Sequence, residues 1–125
     1  MSKIVEGLYY TNTHEWVRLE DQFAFIGITD HASHELGEIV FVELPEEEDQ
    51  VEAGEEFSAI ESVKAASDVL SPVTGIIVQV NEELEDSPEL INEDAYANWI
   101  IKVDLEDKSE LGKLLNAEEY KEICE

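Results

Sequence analysis

The chain has 125 residues, 43% of them hydrophobic, with only six glycines and three prolines. That is enough apolar material for one domain with its own core, and too much for a disordered chain. Its 32 acidic residues against 7 Lys and Arg give a formal charge of −25, which argues against nucleic acid and anionic membranes as partners, because both recruit lysine and arginine. A field of that sign suits partners with basic docking faces and favours a monomer.

At the start, Met1-Ser2-Lys3-Ile4-Val5-Glu6 carries no apolar leader and no Arg-rich amphipathic segment, and no later apolar run approaches a membrane span, so a cytoplasmic protein is expected. Short runs rich in Val, Ile, Phe and Tyr predict strands at 16–19, 23–28, 39–44, 56–63, 67–70, 75–80 and 99–103. Alternation within 39–44 and 57–63 lets one face pack while the other meets water, and antiparallel pairing follows. A helix is predicted over 30–36, capped by Thr29 or Asp30 and ended by Gly37. Pro45 with the acidic run 46–49, Val51-Glu52-Ala53-Gly54, and Ser71-Pro72-Val73-Thr74-Gly75 break the chain between strands. Near the end, Ser109 and Asn116 can cap helices at 110–115 and 117–124, whose Leu111, Leu114, Leu115, Tyr120 and Ile123 can pack back on the sheet. The expectation is a single domain, 1–125, with a β core over about 13–104 and a helical cover over about 109–124.

Between Arg18 and Lys102 only Lys64 carries a Lys or Arg side chain, in a stretch holding twenty-two aspartates and glutamates. It falls between two predicted strands, and the small Ala65, Ala66 and Ser67 after it suit a tight hairpin tip that projects the lysine into solvent. Other residues carry less. His31 and His34 are three apart on a predicted helix, but no Cys or third His stands near them in sequence, so no metal site is expected. The run 46–49 lacks the ligand alternation and turn glycine of a calcium loop. Trp16 and Trp99 read as core or near-core aromatics. Cys124, the only cysteine, has neither a disulfide partner nor a CxxC mate. No Ser-His-Asp set, nucleophile elbow or phosphate-cradling Gly loop appears, so independent catalysis has little support.

The order Glu61-Ser62-Val63-Lys64-Ala65 at an exposed turn, followed by Ser71-Pro72-Val73-Thr74-Gly75 and Val80-Asn81, resembles the swinging-arm carriers whose lysine is acylated by lipoic acid. Biotin carriers use the same hairpin but usually set the lysine between two methionines, whereas here Val63 and Ala65 flank it and Met1 is the sole methionine. Thr13-His14-Glu15-Trp16-Val17, Gly27-Ile28-Thr29-Asp30-His31-Ala32, the segment 36–45, Glu61 to Asp68, and Pro88-Glu89-Leu90-Ile91-Asn92 narrow the resemblance, over nearly the whole chain, to the H proteins of the glycine cleavage system.

The resemblance implies a mainly β, lipoyl-domain-like barrel-sandwich hybrid with a short internal helix and C-terminal helices. It implies lipoic acid on Lys64 within a motif of Glu61, Ser62, Val63 and Ala65, in a carrier without catalysis of its own. The implied partners are a pyridoxal-phosphate glycine decarboxylase, a tetrahydrofolate-dependent aminomethyltransferase, dihydrolipoamide dehydrogenase and the lipoylating enzymes. The positions that match the family's shelter for the loaded arm are Thr13, Glu15, Ile28 and Asp68. Two departures stand out: Glu46-Glu47-Glu48 after Pro45, and Asn98 where the family usually has glycine before the tryptophan, a position an asparagine could fill even at positive φ. Two other readings are a lipoyl relay to 2-oxoacid dehydrogenase complexes and an acidic interaction domain with a bare Lys64.

Overall fold

A computed structural model describes residues 3–124. Its strands are β1 (Tyr9–Tyr10), β2 (Glu15–Glu20), β3 (Phe23–Ile28), β4 (Ile39–Val42), β5 (Gln50–Val51), β6 (Glu56–Ser62), β7 (Ala66–Leu70), β8 (Gly75–Val80) and β9 (Ile101–Leu105). Helices α1 (Asp30–Leu36), α2 (Glu83–Asp86), α3 (Leu90–Glu93) and α4 (Ala117–Cys124), with a 3₁₀ turn at Lys108–Lys113, complete the chain. The strands form two antiparallel sheets, one of six strands ordered β1-β2-β3-β9-β8-β5 and one of three ordered β4-β6-β7. None of the described helices is long and apolar enough to cross a membrane.

The alternation read from the sequence decides what each sheet buries. In β6 Ser58 and Ile60 point inward while Glu56 and Glu61 meet solvent, and in β8 Gly75 and Ile77 are buried while Ile76 and Val78 are exposed. Ile26, Ile28, Ile77, Ile101 and Val103 from the larger sheet join Ile39, Val42, Ile60 and Val69 from the smaller one in a single apolar cluster. Each such side chain contributes about 1.5–3 kcal/mol by leaving water. A second cluster, Tyr10, Trp16, Ala117 and Tyr120, lies under α4. There the Tyr10 and Tyr120 rings stack at 4.5 Å, and Trp16 Nε1 donates to the Ala95 carbonyl at 3.1 Å.

Most of the expected elements are present, with shifts that have local causes. Thr29, rather than Asp30, caps α1, its hydroxyl accepting from the Ala32 N–H. The strand expected at 39–44 stops at Val42, short of Pro45, which has no N–H to give a ladder. The strand expected at 99–103 runs instead over Ile101–Leu105, because the Trp99 carbonyl is taken by Asn81 Nδ2. The helix expected at 110–115 is a 3₁₀ turn begun by Asp107, whose carboxylate accepts from the Ser109 N–H. Asn116 does cap α4, through a reciprocal pair with Glu119. Of the residues expected to pack from the cover, Leu111 and Tyr120 are buried and Leu114 and Leu115 partly so, but Ile123 is 43% exposed. Trp16 is fully buried, and Trp99 is half-buried with its ring edge on Phe25. Asn98 has no positive φ; its side-chain amide instead donates to the Leu90 and Asp94 carbonyls.

Gly75 shows how tightly β8 and β9 meet. A Cβ there would overlap the Asp104 carbonyl oxygen and lie 2.6 Å from Val103 Cγ1. Gly75→Ala is therefore expected to destabilise the fold by about 2–3 kcal/mol, seen as a lower urea midpoint at constant slope; an unchanged midpoint would mean that β9 yields freely.

Candidate functional site

Lys64 stands at the tip of the β6–β7 hairpin, where Glu61 pairs with Ala66. The turn is closed by the Ser62 N–H donating to the Ala65 carbonyl at 2.8 Å. Ser62 Oγ stitches the same turn, accepting from the Ala65 N–H at 3.1 Å and the Lys64 N–H at 3.4 Å. Val63 N–H donates to the Glu38 carbonyl at 3.0 Å, which ties the tip to the segment before β4. Lys64 and Ala65 are exposed, and Val63 is 68% exposed. With the N–H groups of Ser62, Val63, Lys64 and Ala65 all bonded, the turn holds a defined shape beneath the lysine.

The floor beside the lysine is Gly37. It ends α1 with a φ of +79°, a conformation glycine adopts without strain, and a Cβ there would sit 3.3 Å from Lys64 Cε. Asn92 locks this bend from below: its Nδ2 donates to the Gly37 carbonyl at 2.8 Å and to Ser33 Oγ at 3.1 Å, and its Oδ1 accepts from the Ile39 N–H at 2.8 Å. Sequence reasoning assigned Asn92 no role. Its only signal was membership of the segment Pro88-Glu89-Leu90-Ile91-Asn92.

Glu15 occupies a different setting, at 2% exposure. One carboxylate oxygen accepts from the hydroxyls of Thr13 and Thr11, the latter at 2.7 Å, and the other accepts from the Leu70 N–H at 3.3 Å. Burial pushes its pKa up, and the hydrogen bonds from Thr13, Thr11 and Leu70 oppose that rise. The carboxyl borders an open cavity of about 470 Å³ whose walls include Thr11, Thr13, Leu70, Pro72 and Leu115. A polar end with an ionisable acid and an apolar flank of this kind suits a chain-like guest with a cationic head. The span from Ala66 to Leu70 along β7 is about 13 Å by strand rise.

Ile28 lies opposite Glu15 in the β2–β3 ladder and is buried in the core at 4% exposure. Asp68 is exposed on β7 and borders a separate groove with Glu43, Glu56 and Ser58, where its carboxylate raises the pKa of Glu56 by a shared hydrogen bond and by repulsion. Thr13 and Glu15 are thus brought together, with Ile28 behind them, while Asp68 stands apart. Thr11, a partner of Glu15, was not singled out from the sequence. The histidines of α1 do not act as a pair: His31 Nε2 is 3.3 Å from Glu35 Oε1, and His34 Nε2 is 3.5 Å from Asp30 Oδ1.

The family model of the glycine cleavage H-protein matches residues 8–125. The chain is a member of that family. It is 61% identical over 123 residues to a glycine cleavage system H protein from Alkaliphilus oremlandii, covering 98% of this chain and 97% of that one. It is 62% identical over 115 residues to one from Vibrio campbellii, covering 90% and 91%. A crystal structure of a glycine cleavage system H protein from Mycobacterium marinum superposes with a TM-score of 0.88 at 38% identity, over 95% of this chain and 97% of that one.

Of the two departures read from the sequence of this glycine cleavage H-protein family member, the acidic run lies on the surface. Glu46, Glu47 and Glu48 are exposed and rim a groove of about 1110 Å³ floored by Phe41, Ile76 and Val78. The extra acids change a face and leave the core and the Lys64 turn untouched.

Ser62→Ala removes the hydroxyl acceptor that stitches the turn, a loss of about 1 kcal/mol. Amide exchange at Ala65 is expected to quicken about 5-fold, equivalent to that loss, with the melting temperature lowered by about 4 °C. An unaltered exchange rate would mean that the backbone hydrogen bond alone shapes the tip.

Proposed function

We propose that Lys64 carries lipoic acid and that the protein is the non-catalytic shuttle of the glycine cleavage system, moving the aminomethyl group of glycine from the decarboxylase to the aminomethyltransferase. The observation that carries this reading is the exposed Lys64 on a hairpin tip whose N–H groups are all bonded, in a chain of the glycine cleavage H-protein family. The site fits an amide-linked acyl arm: the lysine is exposed, its neighbours Val63 and Ala65 are exposed, and Gly37, which lacks a side chain, leaves the base of the arm clear. When bound, the lipoyl group would supply a disulfide that is reduced as it takes up the glycine-derived fragment, leaving on Lys64, once the fragment has passed on, a dithiol for the flavin-containing dehydrogenase to reoxidise.

The chain's own residues do three things. Glu61, Ser62, Val63 and Ala65 form the turn that a lipoylating enzyme would enclose. Thr11 and Thr13 orient the Glu15 carboxylate toward the 470 Å³ cavity, where it can receive the protonated amine of the cargo in a largely desolvated pairing, stronger than one in water. Leu70, Pro72 and Leu115 give that cavity an apolar side and limit access of water to the cargo. Asp68, in its separate groove, is assigned a lesser part in sheltering than Glu15, and Ile28 supports Glu15 from within the core.

The partners proposed are the pyridoxal-phosphate glycine decarboxylase, the tetrahydrofolate-dependent aminomethyltransferase, dihydrolipoamide dehydrogenase and the enzymes that attach lipoate. The charge of −25 supports encounter with basic faces on them. The shuttle works as a cytoplasmic monomer in this reading.

Intact mass and peptide mapping of protein from its native cells should find one lipoyl group, on Lys64. A bare Lys64 in cells that lipoylate other proteins would overturn the proposal. Glycine-dependent loading by the decarboxylase should follow, and its failure on a lipoylated chain would favour a relay of lipoate to 2-oxoacid dehydrogenases instead.

Glu15→Ala should leave lipoylation intact but speed loss of the cargo about 10-fold, the equivalent of about 1.5 kcal/mol for a charged hydrogen bond. Because burial lifts the Glu15 pKa above its ordinary 4.5, lowering the pH through that raised value protonates the parent carboxyl and removes its charge. The ratio of variant to parent loss rates should therefore shrink toward unity as the medium is acidified; a ratio independent of pH would dismiss Glu15 as the shelter.

A further inference from the structure

Beside the turn that precedes β2, three residues far apart in sequence converge. His14 sits in the turn between Thr11 and Glu15 with a φ of +71°, its N–H donating to the Thr11 carbonyl at 3.2 Å. Its ring lies 4.6 Å from that of His31 on α1, and Cys124 at the end of α4 completes the group. One ligand atom from each of His14, His31 and Cys124 lies within 4.8 Å of the other two, and all three residues are half-buried. We propose that they form a site for a borderline-soft divalent cation, zinc first, closed by a water as the fourth ligand.

The donor set selects the ion. Two imidazoles and a thiolate suit zinc or cobalt, whereas calcium and magnesium require oxygen ligands. Each histidine also has its second ring nitrogen engaged, as metal-binding imidazoles do. His14 Nδ1 is 2.7 Å from the Tyr120 hydroxyl, which in turn is 2.7 Å from Thr29 Oγ1. With Tyr120 donating to Thr29 and accepting from His14 Nδ1–H, the lone pair of His14 is on Nε2. His31 Nε2 faces the Glu35 carboxylate at 3.3 Å, leaving Nδ1 for the metal.

A tetrahedral zinc with bonds of about 2.1 Å to nitrogen and 2.3 Å to sulfur sets its donors about 3.5 Å apart. Closing from the present 4.8 Å asks for a rotamer adjustment of Cys124, in the last turn of α4, and of His31, whose ring is partly exposed. The bound ion would staple α4 to α1 and to the turn that carries Thr13 and Glu15, so the C-terminal cover and the wall of the Glu15 cavity would become one unit.

The test uses the full-length chain as Lys64→Arg, so that no dithiol on an arm can supply ligands, titrated with Co²⁺ and then Zn²⁺. One equivalent of cobalt should bind, with a thiolate-to-cobalt charge-transfer band and intense tetrahedral d–d bands, and zinc should displace it. Cys124→Ser should abolish the charge-transfer band and His31→Gln should weaken uptake at least about 10-fold, with circular dichroism confirming that both variants fold. Tyr120→Phe should weaken uptake about 10-fold through loss of its hydrogen bond to His14. Failure to bind an equivalent, or uptake that neither Cys124→Ser nor His31→Gln alters because the acidic surface carries it, would overturn the site.

Discussion

The carboxylate of Glu15 is the interaction on which the rest of the site depends, because it spans the two sheets. It belongs to β2 of the six-stranded sheet, yet one of its oxygens accepts from the Leu70 N–H at the end of β7 in the three-stranded sheet. The other is held by Thr11 and Thr13, so the turn before β2 and the far end of the Lys64 hairpin are set relative to one another by one side chain. A buried ionisable group is expensive to desolvate, and three donors on one carboxylate are what make its burial tolerable. Burial still pushes its pKa upward against those three hydrogen bonds.

That bridge ties the exposed lysine and the enclosed acid to the same hairpin. The β6–β7 hairpin carries Lys64 at its free end and the Leu70 contact with Glu15 at its base. In the proposed function, an arm fixed at the tip would fold back along the strand toward the acid with the backbone in place. Rigidity is supplied twice, by the Ser62 stitch within the turn and by Asn92 under Gly37. The proposed carrier role needs this combination, since the arm would have to move while its anchor and its resting place stay still.

The acidity is spent at the periphery. Glu46, Glu47 and Glu48 rim a groove with an apolar floor and do not approach the hairpin tip. Such a surface steers encounter through its field and leaves the turn chemistry to backbone and small side chains. The aromatic cluster of Tyr10, Trp16 and Tyr120 works at the opposite kind of place, gluing α4 over the outer face of β1 and β2. Its Tyr120 hydroxyl reaches both Thr29 and His14, which links the C-terminal cover to the entrance of α1.

Features governed by neighbours in sequence were legible before the fold was known. The strands 23–28 and 75–80, the helix at 30–36 and the Lys64 turn all follow from alternation, caps and small turn residues acting within a few positions. The short strands β1 and β5 and the helices α2 and α3 were not, because two to four residues carry no periodicity. The same holds for the 3₁₀ form of Lys108–Lys113, where the cap fell to Asp107. The sequence by itself determined that there would be a β core, an exposed lysine and a helical cover. Only the tertiary structure decided that Glu15 would be buried against Leu70 while Asp68 would face another groove, since strand pairing sets which face meets which neighbour. It also brought His14 to Tyr120, 106 positions away, and to His31 and Cys124. Proximity between side chains so distant is created by sheet closure and helix docking, and no local pattern encodes it.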